Sequence, residues 1–133
     1  MIWFDAILDK PVGDETLQRG VAAILGVALD DIAIVHSTSE IGTLPVTCVV
    51  ECSTPEEYSQ LISIYLSERA APAILPSASR LAVALGRSML LPDDETANPY
   101  SFVHIFNTGQ QSVVLVDPNE LDQKDRYVIL SLA

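Results

Sequence analysis

Positive charge is scarce in this chain. Seven Lys and Arg stand against eighteen Asp and Glu in 133 residues, a formal net of -11 at pH 7. Nucleic-acid binders neutralise phosphates with Lys and Arg, and the seven here are scattered without forming a basic stripe. A net charge of this sign repels polyanions, so neither nucleic acid nor an anionic membrane is an expected partner. Long apolar runs are also missing. The smoothest stretch, Ile74–Leu91, is interrupted by Pro76, Arg80 and Arg87, whereas a membrane-spanning helix needs about 20 apolar residues in a row. Met1–Leu8 holds an aspartate and no basic segment, unlike a secretory signal. The expected location is the cytoplasm.

Cysteine and histidine are too few to suggest a staple or a metal centre. Cys48 and Cys52 lie four apart in one predicted strand, which separates their Cα atoms by about 13 Å. A disulfide needs roughly 7 Å or less, so both are expected to be buried thiols. His36 and His104 complete the nitrogen and sulfur donors, and no pair has zinc-finger or His-Glu-x-x-His spacing. Cys52 precedes a predicted helix, but Glu51, Glu56 and Glu57 around it oppose a thiolate.

Clustered glycines are absent too. Gly26, Gly42, Gly86 and Gly109 are isolated, and Gly13 is followed by Asp14 and Glu15. A phosphate cradle needs grouped backbone donors at a helix start. Asp93-Asp94-Glu95-Thr96-Ala97-Asn98 offers oxygens without the ligand distribution of a calcium loop. Carboxylates are so abundant that no particular pair points to acid–base catalysis. These exclusions predict no cofactor, no metal and a non-enzymatic role.

What is present is a foldable apolar fraction of 49%, enough for a domain of this length to bury a core without disulfides. Residues 1–133 are expected to form a single acidic α+β domain. Ile2–Leu8 reads as a first strand, with Trp3 and Phe4 on opposite sides of it. Asp14 is placed to cap a helix whose apolar stripe is Leu17, Val21, Ile24 and Leu25, ending near Gly26. Ile32–His36 and Leu44–Cys52 read as strands, the second covered on both faces. Thr54, Pro55 and Glu57 form a capping-box pattern, which predicts a second helix burying Tyr58, Leu61, Ile62 and Tyr65.

Ala70–Pro76 reads as a connector and Ser79–Arg87 as a strand. A short helix over Ser77–Leu85 competes with that strand, because Ala and Leu are strong helix formers. Phe102–Phe106 and Ser112–Asp117 flank Asn107-Thr108-Gly109-Gln110 as a hairpin, and Tyr127–Leu132 reads as a final edge strand. The predicted fold is a ferredoxin-like βαββαβ core with a C-terminal β-hairpin extending the antiparallel sheet. Its helices would cover one sheet face, and the other face would be open or used in dimerisation.

An acidic surface with no visible chemistry predicts a protein-binding domain. One concrete form is an inhibitor or immunity protein that masks a basic partner such as a nuclease-like toxin, aided by electrostatic steering. The candidate contact residues are Trp3, Glu40, Asp93, Asp94, Glu95, Glu120, Asp122 and Asp125. An alternative is a small-molecule-binding regulatory domain that forms a homodimer through its sheet, which a concave apolar pocket would favour. A structural or assembly protein is a third reading.

Overall fold

Apolar residues at every second position make strands, and apolar residues at intervals of three and four make helices. The computed structural model describes residues 2–52, 57–67 and 71–132. In order along the chain come β1 (Ile2–Leu8), α1 (Asp14–Leu25), β2 (Ile32–Val35), β3 (Val46–Cys52) and β4 (Gln60–Leu66). They are followed by α2 (Ile74–Leu85), β5 (Met89–Pro92), β6 (Ser101–Ile105), β7 (Gln111–Val116), α3 (Pro118–Lys124) and β8 (Ile129–Leu132). The strands form one eight-stranded sheet in the order β2-β3-β4-β1-β5-β6-β7-β8. The β2–β3 pair is parallel and the other pairs are antiparallel.

This α+β architecture corrects the expected ferredoxin-like core with a terminal hairpin. Among the described residues the sheet is mixed and eight-stranded, and it carries three α-helices. Two elements exchange identity relative to the sequence reading. The segment expected as the second helix contains β4, where Gln60, Ile62, Ile64 and Leu66 are buried and Leu61, Ser63 and Tyr65 are half-buried. That period of two, with β-branched Ile at its centre, suits a pleated strand. The capping-box residues Thr54 and Pro55 lie outside the described residues.

The segment expected as a strand over Ser79–Arg87 is mostly helix. In α2, Ala78, Leu81, Ala82 and Leu85 are buried at helical intervals. Gly86 then ends the helix in the left-handed region at φ 64°, with the Arg87 amide donating to the Ala82 carbonyl at 3.1 Å. Asp117-Pro118-Asn119-Glu120 reads in the sequence as the end of the hairpin, and Asp122, Lys124, Asp125 and Arg126 as an exposed link, whereas Pro118–Lys124 forms α3. Asp117 caps it by accepting from the Asn119 and Glu120 amides, and Pro118 begins its first turn.

α1 and α2 lie together on one sheet face. Leu17, Val21 and Leu25 of α1 and Leu81 and Leu85 of α2 pack on alternate residues of the strands, including Leu8, Cys48, Ile64, Met89 and Ile105. The opposite face is covered in part. Leu121 of α3 and Tyr127 pack there on Ile7, Leu90, Phe102, Val114 and Val116. A face wholly open for dimerisation is therefore not found. β3 is buried on both sides, from Val46 to Val50. Cys48 is buried and Cys52 exposed, and neither forms a disulfide. Burial pushes the Cys48 thiol up to about 12.

A bulge in β1 alters the alternation around Trp3. Phe4 pairs with Ile64 while Ile2 pairs with Tyr65, which leaves Trp3 as the extra residue. Trp3 and Phe4 consequently both join the helix-side core, their rings edge to face at 4.9 Å. The expected placement of these rings on opposite sides of the strand is corrected by that one residue.

The two helices approach closely at Gly20. A Cβ there would stand 2.9 Å from Leu85 Cδ2 and 3.3 Å from Leu81 Cδ1. Gly20→Val should destabilise the fold by about 1–3 kcal/mol through overpacking, measured as a lower denaturant midpoint at unchanged slope.

Candidate functional site

The sheet is wider than its helix layer, and a cleft of about 830 Å³ opens where the layer stops. Its wall is the start of α2, with Ala73, Ile74, Leu75 and Pro76. Its floor is contributed by Trp3 and Phe4 of β1, Leu91 of β5, Val103 of β6 and Val113 of β7. Ile2, Ile74, Leu75 and Val113 line it while remaining 46%, 39%, 37% and 40% exposed. Four large, partly exposed apolar side chains thus line one open space. Scattered apolar exposure is ordinary, and here four such side chains are gathered around one concavity.

Two polar contacts hold the cleft in shape. The Trp3 indole Nε1–H donates to the Pro72 carbonyl at 3.0 Å, tying the segment before α2 to β1. Gln111 Nε2 donates to Ser79 Oγ at 2.7 Å, tying β7 to α2. The cavity is therefore formed in advance of any ligand.

Carboxylates stand along its margin. Asp5, Asp93, Asp94 and Glu95 are among the lining residues, and among the described ones there is no Lys, Arg or His. The Asp93 carboxylate accepts from Ser101 Oγ at 2.9 Å and from the Glu95 amide at 3.2 Å. These bonds fix the turn that presents Asp94 and Glu95, both exposed.

The candidate contact residues from the sequence divide into three groups. Asp93, Asp94 and Glu95 meet at the cleft with Trp3. Trp3 is only 5% exposed, so it contributes to the floor of the cleft as a largely buried ring. Glu40 lies elsewhere, after β2, where it accepts from the His36 amide at 3.3 Å. Glu120, Asp122 and Asp125 belong to α3 and its end. Glu120 is paired with Lys124 and Arg126, each at 3.5 Å. Asp122 accepts from the Tyr100 hydroxyl at 2.6 Å, and Asp125 terminates the helix at φ 52°. Sequence reasoning passed over Ile74, Leu75 and Val113. The available signal was the Ile-Leu-Pro start of an amphipathic helix, read instead as a connector.

A second polar pair sits under the opposite face. The Tyr58 hydroxyl lies 2.8 Å from His104 Nε2, and the His104 ring contacts Phe106 edge to face at 4.4 Å. Tyr58 occupies the left-handed region at φ 54°, an uncommon conformation for an aromatic residue. Burial lowers the His104 imidazole below its ordinary 6.5, opposed by the nearby Asp9 carboxylate. Burial, with Asp9 and Glu57 adding, pushes the Tyr58 phenol up to about 12. A neutral imidazole accepting from a neutral phenol fits both shifts. The pair fastens the 57–59 turn to β6.

Among the described residues, no three His, Cys, Asp or Glu side chains group so that they could hold a metal ion. No described helix is long and apolar enough to cross a membrane.

The His104 environment has a consequence for stability. With the folded value depressed, the unfolded chain binds more protons between that value and 6.5. The contribution of neutral His104 is therefore present above pH 6.5 and lost as pH falls through the folded value. Urea unfolding across this range should show an acid limb that His104→Gln flattens, since glutamine retains an acceptor for Tyr58 without titrating.

The chain matches no protein-family model, no curated protein and no solved structure.

Proposed function

We propose that this chain is a non-enzymatic protein-binding domain that masks a basic partner, in the manner of an immunity protein neutralising a nuclease-like toxin. The observation that carries the reading is the distribution of compensated and uncompensated acid. Arg19, Lys124 and Arg126 are engaged with Glu15 and Glu120. The Asp93–Glu95 margin has no basic neighbour among the described cleft residues. On a chain of net charge -11, such a margin attracts cations, accelerates encounter with a basic surface and repels anionic competitors.

A second reading is a small-molecule-binding regulatory domain. The cleft volume favours it, since 830 Å³ falls within the range of ligand pockets. The readings diverge in what the carboxylates do. In the first they meet Lys and Arg of a protein. In the second they orient a ligand whose affinity comes from the apolar walls.

Immobilised chain should retain a basic protein from a lysate at low salt and release it as salt rises. Neutralising Asp94→Asn and Glu95→Gln together should slow its association by roughly three- to tenfold at low ionic strength. Asp93 is left in place because its carboxylate holds the turn. Retention of no basic protein, alongside a small molecule that raises the unfolding temperature, would overturn the first reading in favour of the second.

A further inference from the structure

The cleft between α2 and β7 supports a more specific statement, which rests on the reading of a basic protein partner. We propose that it receives an apolar side chain from a partner segment in which Lys or Arg flanks that side chain. The apolar walls and charged margin are different surfaces of one space. Ile74, Leu75 and Val113 offer exposed hydrocarbon inside it. Asp94 and Glu95 stand at its margin. A ligand satisfying both must place a cation next to an apolar group.

Charge decides between this occupant and a second copy of the chain. Two copies meeting through this face would bring two sets of four lining carboxylates together. No described lining residue supplies a cation to relieve them, and each chain carries a net of -11. A basic segment meets the opposite situation, since desolvating the apolar walls places its cations beside carboxylates. The start of α2 adds a contact suited to a polypeptide. The N-cap residue Ala73 makes no side-chain cap bond, and the Ile74 and Leu75 amides are first-turn donors of the kind that a helix leaves unpaired within itself. A carbonyl of the bound segment can accept from them. The Trp3–Pro72 and Gln111–Ser79 contacts fix the walls relative to the floor beforehand, which lowers the ordering cost of binding.

The test uses two synthetic peptides of equal charge and without tryptophan, Lys-Arg-Leu-Phe-Arg-Lys and Lys-Arg-Gly-Gly-Arg-Lys. Trp3, the chain's one tryptophan, lies in the cleft and reports occupancy by its fluorescence. The Leu-Phe peptide should bind at least tenfold more tightly than the Gly-Gly peptide and should change Trp3 emission. Leu75→Asp and Val113→Asp should each abolish that preference. Both substitutions add negative charge, so attraction by charge alone would grow while apolar anchoring is lost. Both positions are more than one-third exposed, and circular dichroism checks that the variants fold; Leu75→Gln serves if either does not.

Equal affinity for the two peptides, or tighter Leu-Phe binding by the Asp variants, would overturn the inference while leaving the basic-partner reading intact. Failure of both peptides to bind at low salt would also overturn it. The basic-partner reading falls separately, if no basic protein is retained from the lysate. Concentration-dependent dimerisation abolished by Val113→Asp would overturn the inference by assigning the cleft to a second copy.

Discussion

Two helices cannot roof eight strands, and the rest of the molecule follows from that mismatch. At strand spacings near 4.8 Å the sheet is about 34 Å across, while two packed helices cover only about 20 Å. Gly20 makes the shortage sharper by letting α1 and α2 close on each other, with Leu81 and Leu85 filling the position of its missing side chain. Helix cover is therefore concentrated over the middle strands. Val113 on β7 is left 40% exposed, and the space beside α2 becomes the cleft. On the reverse face α3 supplies what the first layer lacks, carrying Leu121 onto Phe102, Val114 and Val116.

The sequence displayed local structure more plainly than tertiary pairing. Leu17, Val21 and Leu25 mark the buried side of α1, and the Phe102–Phe106 and Ser112–Asp117 runs do pair as a hairpin through β6 and β7. The same starting pattern occurs twice, as Thr54-Pro55 with Glu57 and as Asp117-Pro118 with Glu120. Only the second is followed by a described helix, and its residues read in the sequence as the end of the hairpin. What separates them is the sequence beyond the pattern. Ile62, Ile64 and Leu66 alternate after the first, so cross-strand burial outweighs helix initiation. For α2 the reverse holds, because Ala78, Leu81, Ala82 and Leu85 fit a helical stripe that alternation cannot bury on one side.

The candidate site was legible only in its acidic half. Consecutive Asp93, Asp94 and Glu95 are visible in any reading of composition, but their neighbours come from β1, α2, β5, β6 and β7. Such a meeting depends on strand order, which no local pattern states. Trp3 illustrates the same limit within a single strand. Its inward position depends on the bulge opposite Ile64 and Tyr65, and one inserted residue reverses an inference drawn from strict alternation. Abundance also misled. Glu120 and Asp122 count toward the negative charge, yet one is paired with Lys124 and Arg126 and the other bonds Tyr100.

The margins of the sheet bear on how this chain survives at high concentration. An open sheet ends in strands whose free amides and carbonyls can template another chain, and apolar strands are the most hazardous. Here both outer strands, β2 and β8, are four residues long. The pairing of β7 with β8 is displaced between Leu115 and Val116, which interrupts the regular ladder beside one border. Short and irregular borders on an acidic molecule discourage sheet-to-sheet growth. That protection lets Leu130 remain 58% exposed on an outer strand without making the strand a long, flat seed for aggregation.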